Sequence, residues 1–499
     1  MDVEAVGPTP PIDWSVDPTD LEVRLLASQV EVPAELLSHL EAQGVEVLCS
    51  LGDCVEASRD WWPLAQIWAL EGLAPAIAGA AARPKTTAEV AAVVAACSSH
   101  GVPVTAAGGR SGVLGSSVPV HGGILLDLTG MAGILVVDSD SMVVEVAAGT
   151  FGDVLEGELA EIGLTVGHWP QSISLSTVGG WLACRGAGQL SNRYGKIEDL
   201  VVGIEVVMAD GSVVITGGHA RAAAGPDLTQ VFVGSEGTLG IITRAWLRLH
   251  HQPQVRSTSA FGFESFGAAN DACRRIMQRG ATPAALRVYD STEAAPRFDT
   301  GDAHVLLVLD EGDAHLVEAD MSVVAEECST ADPLDSGLVE QWWADRNDVA
   351  GLAAITKKGF VFDTMEVTVS WSNLDSCYGS VLDAVGAMDG VRVVSAHQSH
   401  AYSDGACLYF TFAARPEDPT IREAWYVAAW DVATRAALSA GASLSHHHGV
   451  GLNRARFMAE ALGSGFEVMV ALKEALDPQG ILNPGKMGLP DRFGEVSWP

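Results

Sequence analysis

The sequence predicts an α+β protein of several units: an alternating α/β block, a second unit with an open antiparallel sheet under helices, and a helical C-terminal segment. Three observations lead there. The 499 residues exceed what one core usually serves. Strand-like and helix-like segments alternate from Arg83 to about residue 250. From about residue 251 the texture changes to longer period-2 strands between helices, as in FVFDTMEVTVSW and GACLYFTFAARP. Hydrophobic residues make up 48%, and the 53 Gly and 22 Pro are dispersed, so a sizeable core is expected.

The first 80 residues read as an N-terminal helical segment. Pro8, Pro10, Pro11 and Pro18 punctuate a loop, LEVRLLASQV and PAELLSHLEAQG read as short amphipathic helices, and the apolar DWWPLAQIWALEG packs against the body. Residues 81–250 form the α/β block. There PKTTAEVAAVVAACSSHG is a helix with Thr86 or Thr87 as N-cap, Glu89 in the first turn and Gly101 near its end. VPVTAA, GGILLDL and MVVEVAAG are strands, FGDVLEGELAEIG is a helix, IEDLVVGIEVVMADGSVVITG is a hairpin turning at Asp210-Gly211, and GTLGIITRAWLRLHH closes the block as a strand. Residues 251–445 read as a cap, with helices ESFGAANDACRRIMQRG and DAHLVEADMSVVAEECS and the strand HVLLVLDEG. Residues 446–499 carry a histidine triplet, the helix FEVMVALKEALD and the tail PQGILNPGKM.

Composition excludes several partners. The formal charge is −34, so no nucleic acid is expected as a partner, and docking on anionic lipid is disfavoured. Cys49, Cys54, Cys97, Cys184, Cys273, Cys328, Cys377 and Cys407 are spread out with no C-x-x-C, which argues for reduced thiols and against structural zinc or a disulfide framework. MDVEAVGPTPPIDW has no basic n-region before an apolar run. No uninterrupted apolar run reaches about 18 residues, so no transmembrane segment is expected. EVSWP is not a peroxisomal tripeptide. The expected location is the cytoplasm.

No G-x-G-x-x-G and no P-loop occur. Instead, three small-residue loops lie in the α/β block: AAGGRSGVLGSS (106–117), PQSISLSTVGGWLACRGAG (170–188) and GSEGTLGII (234–242). Glycine lets backbone N–H groups approach an anion closely, and Ser and Thr add hydroxyl donors. Together such loops can wrap a pyrophosphate without net positive charge.

The order RPKTTAEV, GG-R-S-G, ILLDL, VEVAAG, STVGG, YGKIEDLV, ADG, GSEGTLGII resembles the FAD-binding domain of the vanillyl-alcohol oxidase and p-cresol methylhydroxylase (PCMH) superfamily, over about 170 residues. The resemblance implies a PCMH-type domain of two α+β subdomains holding an elongated FAD. Its pyrophosphate would lie in the loop of Ala106, Ala107, Gly108, Gly109, Arg110, Ser111 and Gly112. The flavin would be lined by Ser172, Ser176, Thr177, Gly179 and Gly180, with Gln171, Ile173, Ser174 and Leu175 also among the cofactor-binding residues. Cys184, Arg185, Gly186 and Ala187, with Glu236, Gly237, Thr238, Leu239, Gly240, Ile241 and Ile242, would complete the contacts. Arg110 departs from the third glycine of the family's first loop. Some relatives tether FAD through a histidine near this loop; residues 106–117 hold no His or Cys, and His121 lies just beyond, so non-covalent FAD is expected.

LSHHHGVG (444–451) places three histidines in succession, which cannot share one helix or strand face and so suit a loop. Histidine as acid, base or anion donor is the functional reading. A chance surface run and a metal site are the alternatives. No acidic or thiolate partner is adjacent, so no metal is expected. DTMEVTVSW, SDGACLYFTFA, SLSHHHGVG and LDPQGILNPGKM resemble the alkylglycerone-phosphate synthase (alkyldihydroxyacetone-phosphate synthase) family of ether lipid biosynthesis, and with the FAD domain the likeness runs over most of residues 60–490. It implies Tyr409, His446, His447 and His448 as catalytic residues, and Arg346 in WWADRND and Arg287 in ALRVYD as substrate-binding. It further implies a transferase that exchanges the acyl chain of acyl-dihydroxyacetone phosphate for a fatty alcohol through a flavin N5 adduct. Leu452 stands where the family has lysine after GVG, and Gln171 where it has an acid.

An FAD-linked dehydrogenase or oxidase of a 2-hydroxy acid such as D-lactate or glycolate shares the same domain, and His400 in SHAYSDG could serve its site. A flavin-binding protein without turnover is the third reading. The expected partner is a small-molecule or lipid-phosphate substrate. A peripheral membrane contact and a homodimer are both compatible with the sequence.

Overall fold

The structure, a computed structural model, describes residues 12–498; Pro8, Pro10 and Pro11 lie outside the described residues. Three sheets carry the architecture. The first has four strands in the order Glu46–Leu48, Ala80–Arg83, Ile124–Asp127, Val104–Ala107, the last three parallel. The second is an antiparallel five-stranded sheet in the order Val213–Gly217, Val201–Val207, Ile241–Arg248, Val143–Ala147, Ile134–Asp138. The third is antiparallel and seven-stranded, in the order Asp332–Leu334, Val255–Phe263, His304–Gly312, Ala285–Tyr289, Val391–Ala401, Gly405–Ala414, Val361–Ser370. The first two make up the region expected to bind FAD, and the third is the sheet of the expected cap. The fold is thus the α+β arrangement expected.

Local chemistry sets the elements. The Thr87–His100 helix starts where Thr86 accepts the Glu89 N–H and stops where Gly101 turns left-handed at φ 66°. The hairpin turns as expected, with Asp210 accepting from Ser212 N–H. LEVRLLASQV is not a helix. Glu22–Val23 instead forms a two-residue parallel strand against Leu73–Ala74, while Leu25 is buried. Tertiary pairing there overrides a helical pattern. DWWPLAQIW is buried: Trp62 and Trp68 are fully enclosed, and their indole N–H groups donate to Tyr426 Oη and Glu423.

The tail returns to the FAD-binding region. Lys473 Nζ donates to the carbonyls of Thr238 and Leu482 and to Asp477, and Asn483 donates to the carbonyls of Ser116 and Glu236. Cap and FAD-binding region are joined by Arg193, which grips Asp310 bidentately at 2.9 and 2.8 Å and also reaches Asp320. Tyr194 donates to Glu311 beside it. No helix among the described residues is long and apolar enough to cross a membrane.

Asp310 is fully buried, and burial lifts its carboxyl to about 6 even with Arg193 in place. Arg193→Met leaves that carboxylate without its cation. The expected loss is about 3–5 kcal/mol, read by urea unfolding. A change within about 0.5 kcal/mol, the range of an ordinary surface substitution, would show that the pair does not hold the regions together.

Candidate active site

One cavity of about 480 Å³ runs between the FAD-binding region and the cap sheet. Its floor is the three glycine loops. Gly108 and Gly109 pack so closely that a side chain would strike Thr177 Oγ1 and the Leu175 carbonyl, and one at Gly179 would meet Ala148. Only glycine lets these backbones close on each other while facing the cavity. The Val178–Cys184 helix points its N-terminus here, with Thr177 as its cap. This peptide-rich cradle suits a dinucleotide's pyrophosphate.

Most of the expected cofactor residues line the cavity: 106–112, Gln171, Ser172, Leu175, Ser176, Thr177, Gly179, Gly180, Cys184, Gly186, Ala187, Glu236, Gly237, Gly240, Ile241 and Ile242. Five do not. Ile173 and Leu239 turn into the apolar core, and Ser174 faces solvent. Arg185 adopts φ 61° to end the helix and reaches Gln230. Thr238 Oγ1 donates to the Ser235 carbonyl. Arg110 takes a left-handed φ of 56°, the geometry a glycine would have, and its guanidinium turns back to the carbonyls of Glu56 and Ala57. His121 is held by Asp491 and the Ser28 carbonyl and does not line the cavity.

The cap side is built by strand register. Tyr289, His397, Tyr409 and Glu366 fall in one row across four adjacent strands. Glu366 is fully buried and accepts the backbone N–H of His446, His447 and His448 at 3.1, 3.0 and 2.8 Å. Ser445 Oγ and the fully buried Arg454 bond to it as well. The triplet's backbone thus folds round one carboxylate as an anion nest. Burial alone would raise Glu366, but Arg454 and the histidines hold it far below the usual range. From the other side Glu236 accepts the N–H of Val450 and Gly451, and Lys196 Nζ donates to the His446 carbonyl at 2.7 Å.

His448 spans the key gap. Its Nδ1 lies 3.2 Å from Glu366 and its Nε2 is 3.5 Å from Tyr409 Oη, which accepts from Thr364 Oγ1 at 3.0 Å. Burial pushes the Tyr409 phenol up, so it stays protonated. His447 lines the cavity beside it, whereas His446 is turned away to Tyr402 Oη. Burial, and then the charge of neighbouring imidazoles, holds His446 and His447 well below the usual histidine range.

Arg287 and Arg346 both line the cavity. Arg346 stacks over Trp343 at 3.4 Å, and burial lowers it to about 10. Sequence reasoning missed Gln66, His168, Tyr289, Glu293, Arg297, His397 and Thr411. The available signal was period 2: Tyr289 and Thr411 are two positions from Arg287 and Tyr409 on the same strands.

No metal partner stands beside the triplet in the sequence, but side chains distant along the chain meet it in space. The fold brings His400, Cys407, His446 and His447 together, one donor atom each within 4.8 Å of the others. Burial pushes the Cys407 thiol up to about 12, so no thiolate is preformed there.

Residues 78–217 match the family "FAD binding domain" and residues 252–487 match "FAD linked oxidases, C-terminal domain". The chain is 31% identical over 409 residues to the FAD-linked oxidoreductase YgcU of Escherichia coli O157:H7, covering 77% of this chain and 83% of that protein. It is 30% identical to the alkyldihydroxyacetonephosphate synthase of Dictyostelium discoideum (81% and 72% covered) and 29% to glycolate oxidase subunit GlcD of Bacillus subtilis (81% and 87%). A solved alkyldihydroxyacetonephosphate synthase superposes with a TM-score of 0.78 at 25% identity, covering 94% of this chain and 88% of that one.

With FAD as the ligand of the glycine cradle, Gly109→Ala forces the first loop off Leu175. The variant is expected to purify folded by circular dichroism but without flavin absorbance; retention of stoichiometric FAD would refute the assigned contact. The two matched segments and the coverage of these relatives show that the chain belongs to the FAD-linked oxidases and is an FAD-dependent enzyme.

Proposed function

We propose that the chain is an alkylglycerone-phosphate synthase-like enzyme, exchanging the acyl chain of an acyl-dihydroxyacetone phosphate for a fatty alcohol with no net oxidation. The observation that carries this is the Glu366–His448–Tyr409 line facing the same cavity as Arg287 and Arg346. Guanidinium groups suit a phosphate bidentately. Tyr409, protonated and oriented by Thr364, can deliver a proton to an oxygen at the reacting carbon. His448 Nε2, 3.5 Å from that phenol, can take up a proton and then pass it to the phenolate, the resulting imidazolium being favoured by Glu366 3.2 Å from Nδ1. The bound FAD supplies an electrophilic ring.

A second reading is an FAD-linked oxidoreductase of a 2-hydroxy acid. The glycolate oxidase relative and a polar stretch of wall at Gln66, Thr356, Thr364 and Thr411 favour it. His400 also lines the cavity, but burial lowers it to about 3, and Ser399 and the Gly188 carbonyl engage both ring nitrogens.

Anaerobic mixing separates the two. Oxidised flavin that persists while labelled fatty alcohol enters acyl-dihydroxyacetone phosphate supports exchange; bleaching by D-lactate or glycolate supports oxidation instead. Tyr409→Phe is expected to lower turnover by about 10²–10⁴-fold while FAD stays bound. Unchanged turnover in that variant removes the proton role.

A further inference from the structure

In a chain of formal charge −34, cations outside any close ion pair stand out, here with Glu293 as the carboxylate whose charge they share at longer range. Among the described residues Arg287 and Arg297 form no ion pair, and both line the cavity. Their guanidinium carbons lie 5.7 and 5.5 Å from the centroid of the same ring, Tyr289. The Arg297 guanidinium makes no hydrogen bond among the described residues.

Arg287 is held differently. Its Nε donates to Tyr289 Oη at 3.2 Å and its Nη2 faces His397 Nε2 at 3.0 Å. A guanidinium only donates, so Nε2 must present its lone pair and Nδ1 must carry the proton. That Nδ1–H points at Glu293, 3.1 and 3.2 Å from its two oxygens. Glu293 therefore fixes the tautomer of His397, and that tautomer fixes Arg287. These bonds use two of the five N–H groups of Arg287. Within this cluster two guanidiniums face one carboxylate and one imidazole that burial keeps neutral, a local sum of one positive charge, while Arg110, Arg346, Glu236, Asp345, Asp348 and Asp363 line the cavity as well. His397 also stacks on Tyr409, with ring centroids 4.8 Å apart at 20°.

We propose that Arg287 and Arg297 form an oxyanion subsite for the carboxylate or phosphate of the ligand, and that Glu293 and His397 are its positioning residues, setting that charge beside Tyr409. Arg297, His397 and Glu293 are new to the site. The subsite rests on the proposed function only in taking Arg287 as substrate-binding, and it holds under either chemistry.

The test uses the FAD-loaded enzyme and three probes in titration calorimetry: inorganic phosphate, acetate and the uncharged acetamide. The wild type is expected to bind at least one anion and to prefer it to acetamide. Tighter phosphate points to a phosphate ester as the natural ligand and tighter acetate to a carboxylate; either supports the subsite. Arg297→Gln should raise the dissociation constant of the preferred anion about tenfold, and Arg297→Lys should restore most of it. His397→Phe keeps a ring against Tyr409 but removes the acceptor for Arg287. It should cost about as much for the anion and nothing for acetamide, with the flavin spectrum unchanged. Anion affinity unaltered in both Arg297→Gln and His397→Phe, or equal loss for anion and acetamide, overturns the subsite. Anion binding that persists in a protein with no exchange activity would count against the proposed function alone, whereas exchange activity without anion binding would count against the subsite alone.

Discussion

Glu366 sits at zero exposure in the middle of a strand and accepts N–H groups from three successive residues that lie about 80 positions later in the chain. A carboxylate so placed would be costly without donors on both oxygens. Arg454, also fully buried, neutralises it, and the backbone of 446–448 completes its coordination. The histidine triplet therefore has its shape because a charge must be solvated by peptide groups. That shape directs His448 to Tyr409 and His446 away to Tyr402.

The same loop is held from the FAD-binding region by Glu236 and Lys196. Segment 445–451 is thus tied to both sides of the cavity, to Glu366 on the cap sheet and to Glu236 and Lys196 on the other side. Arg193 and Tyr194 add a second seam to Asp310 and Glu311. The distance between the glycine loops and the Tyr409 row is set by ionic and hydrogen-bonded ties between separate regions as well as by apolar packing.

Much of this was legible in the sequence. The glycine loops announce themselves because sterics allow nothing else where Gly109 meets Leu175, and the cap strands show through period-2 alternation. The Thr86 cap and the Asp210-Gly211 turn are read from local rules. What was not legible depends on pairing register. Glu366 looks like any lone acid in an apolar run, and its role appears only when residues 445–454 fold over it. His397 and Glu293 belong to the site only because Tyr289, His397 and Tyr409 are opposed across three strands. Cys407 meets the histidines through the same sheet. Arg185 and Ser174 sit inside a cofactor-like motif, yet one ends a helix and the other faces water. In LEVRLLASQV a helical pattern lost to an edge pairing with Leu73–Ala74.

The alternation of the cap strands has a corollary for how such an enzyme diversifies. On the Gly405–Ala414 strand, Tyr409 and Thr411 face the chamber while Leu408, Phe410 and Phe412 are sealed in the apolar underside. Wall and foundation thus occupy interleaved positions that seldom constrain each other. Drift can repaint the chamber one alternate position at a time while the hidden set keeps the scaffold upright, so proteins bearing the names of a synthase and of an oxidase can stand at nearly equal distance from one chain.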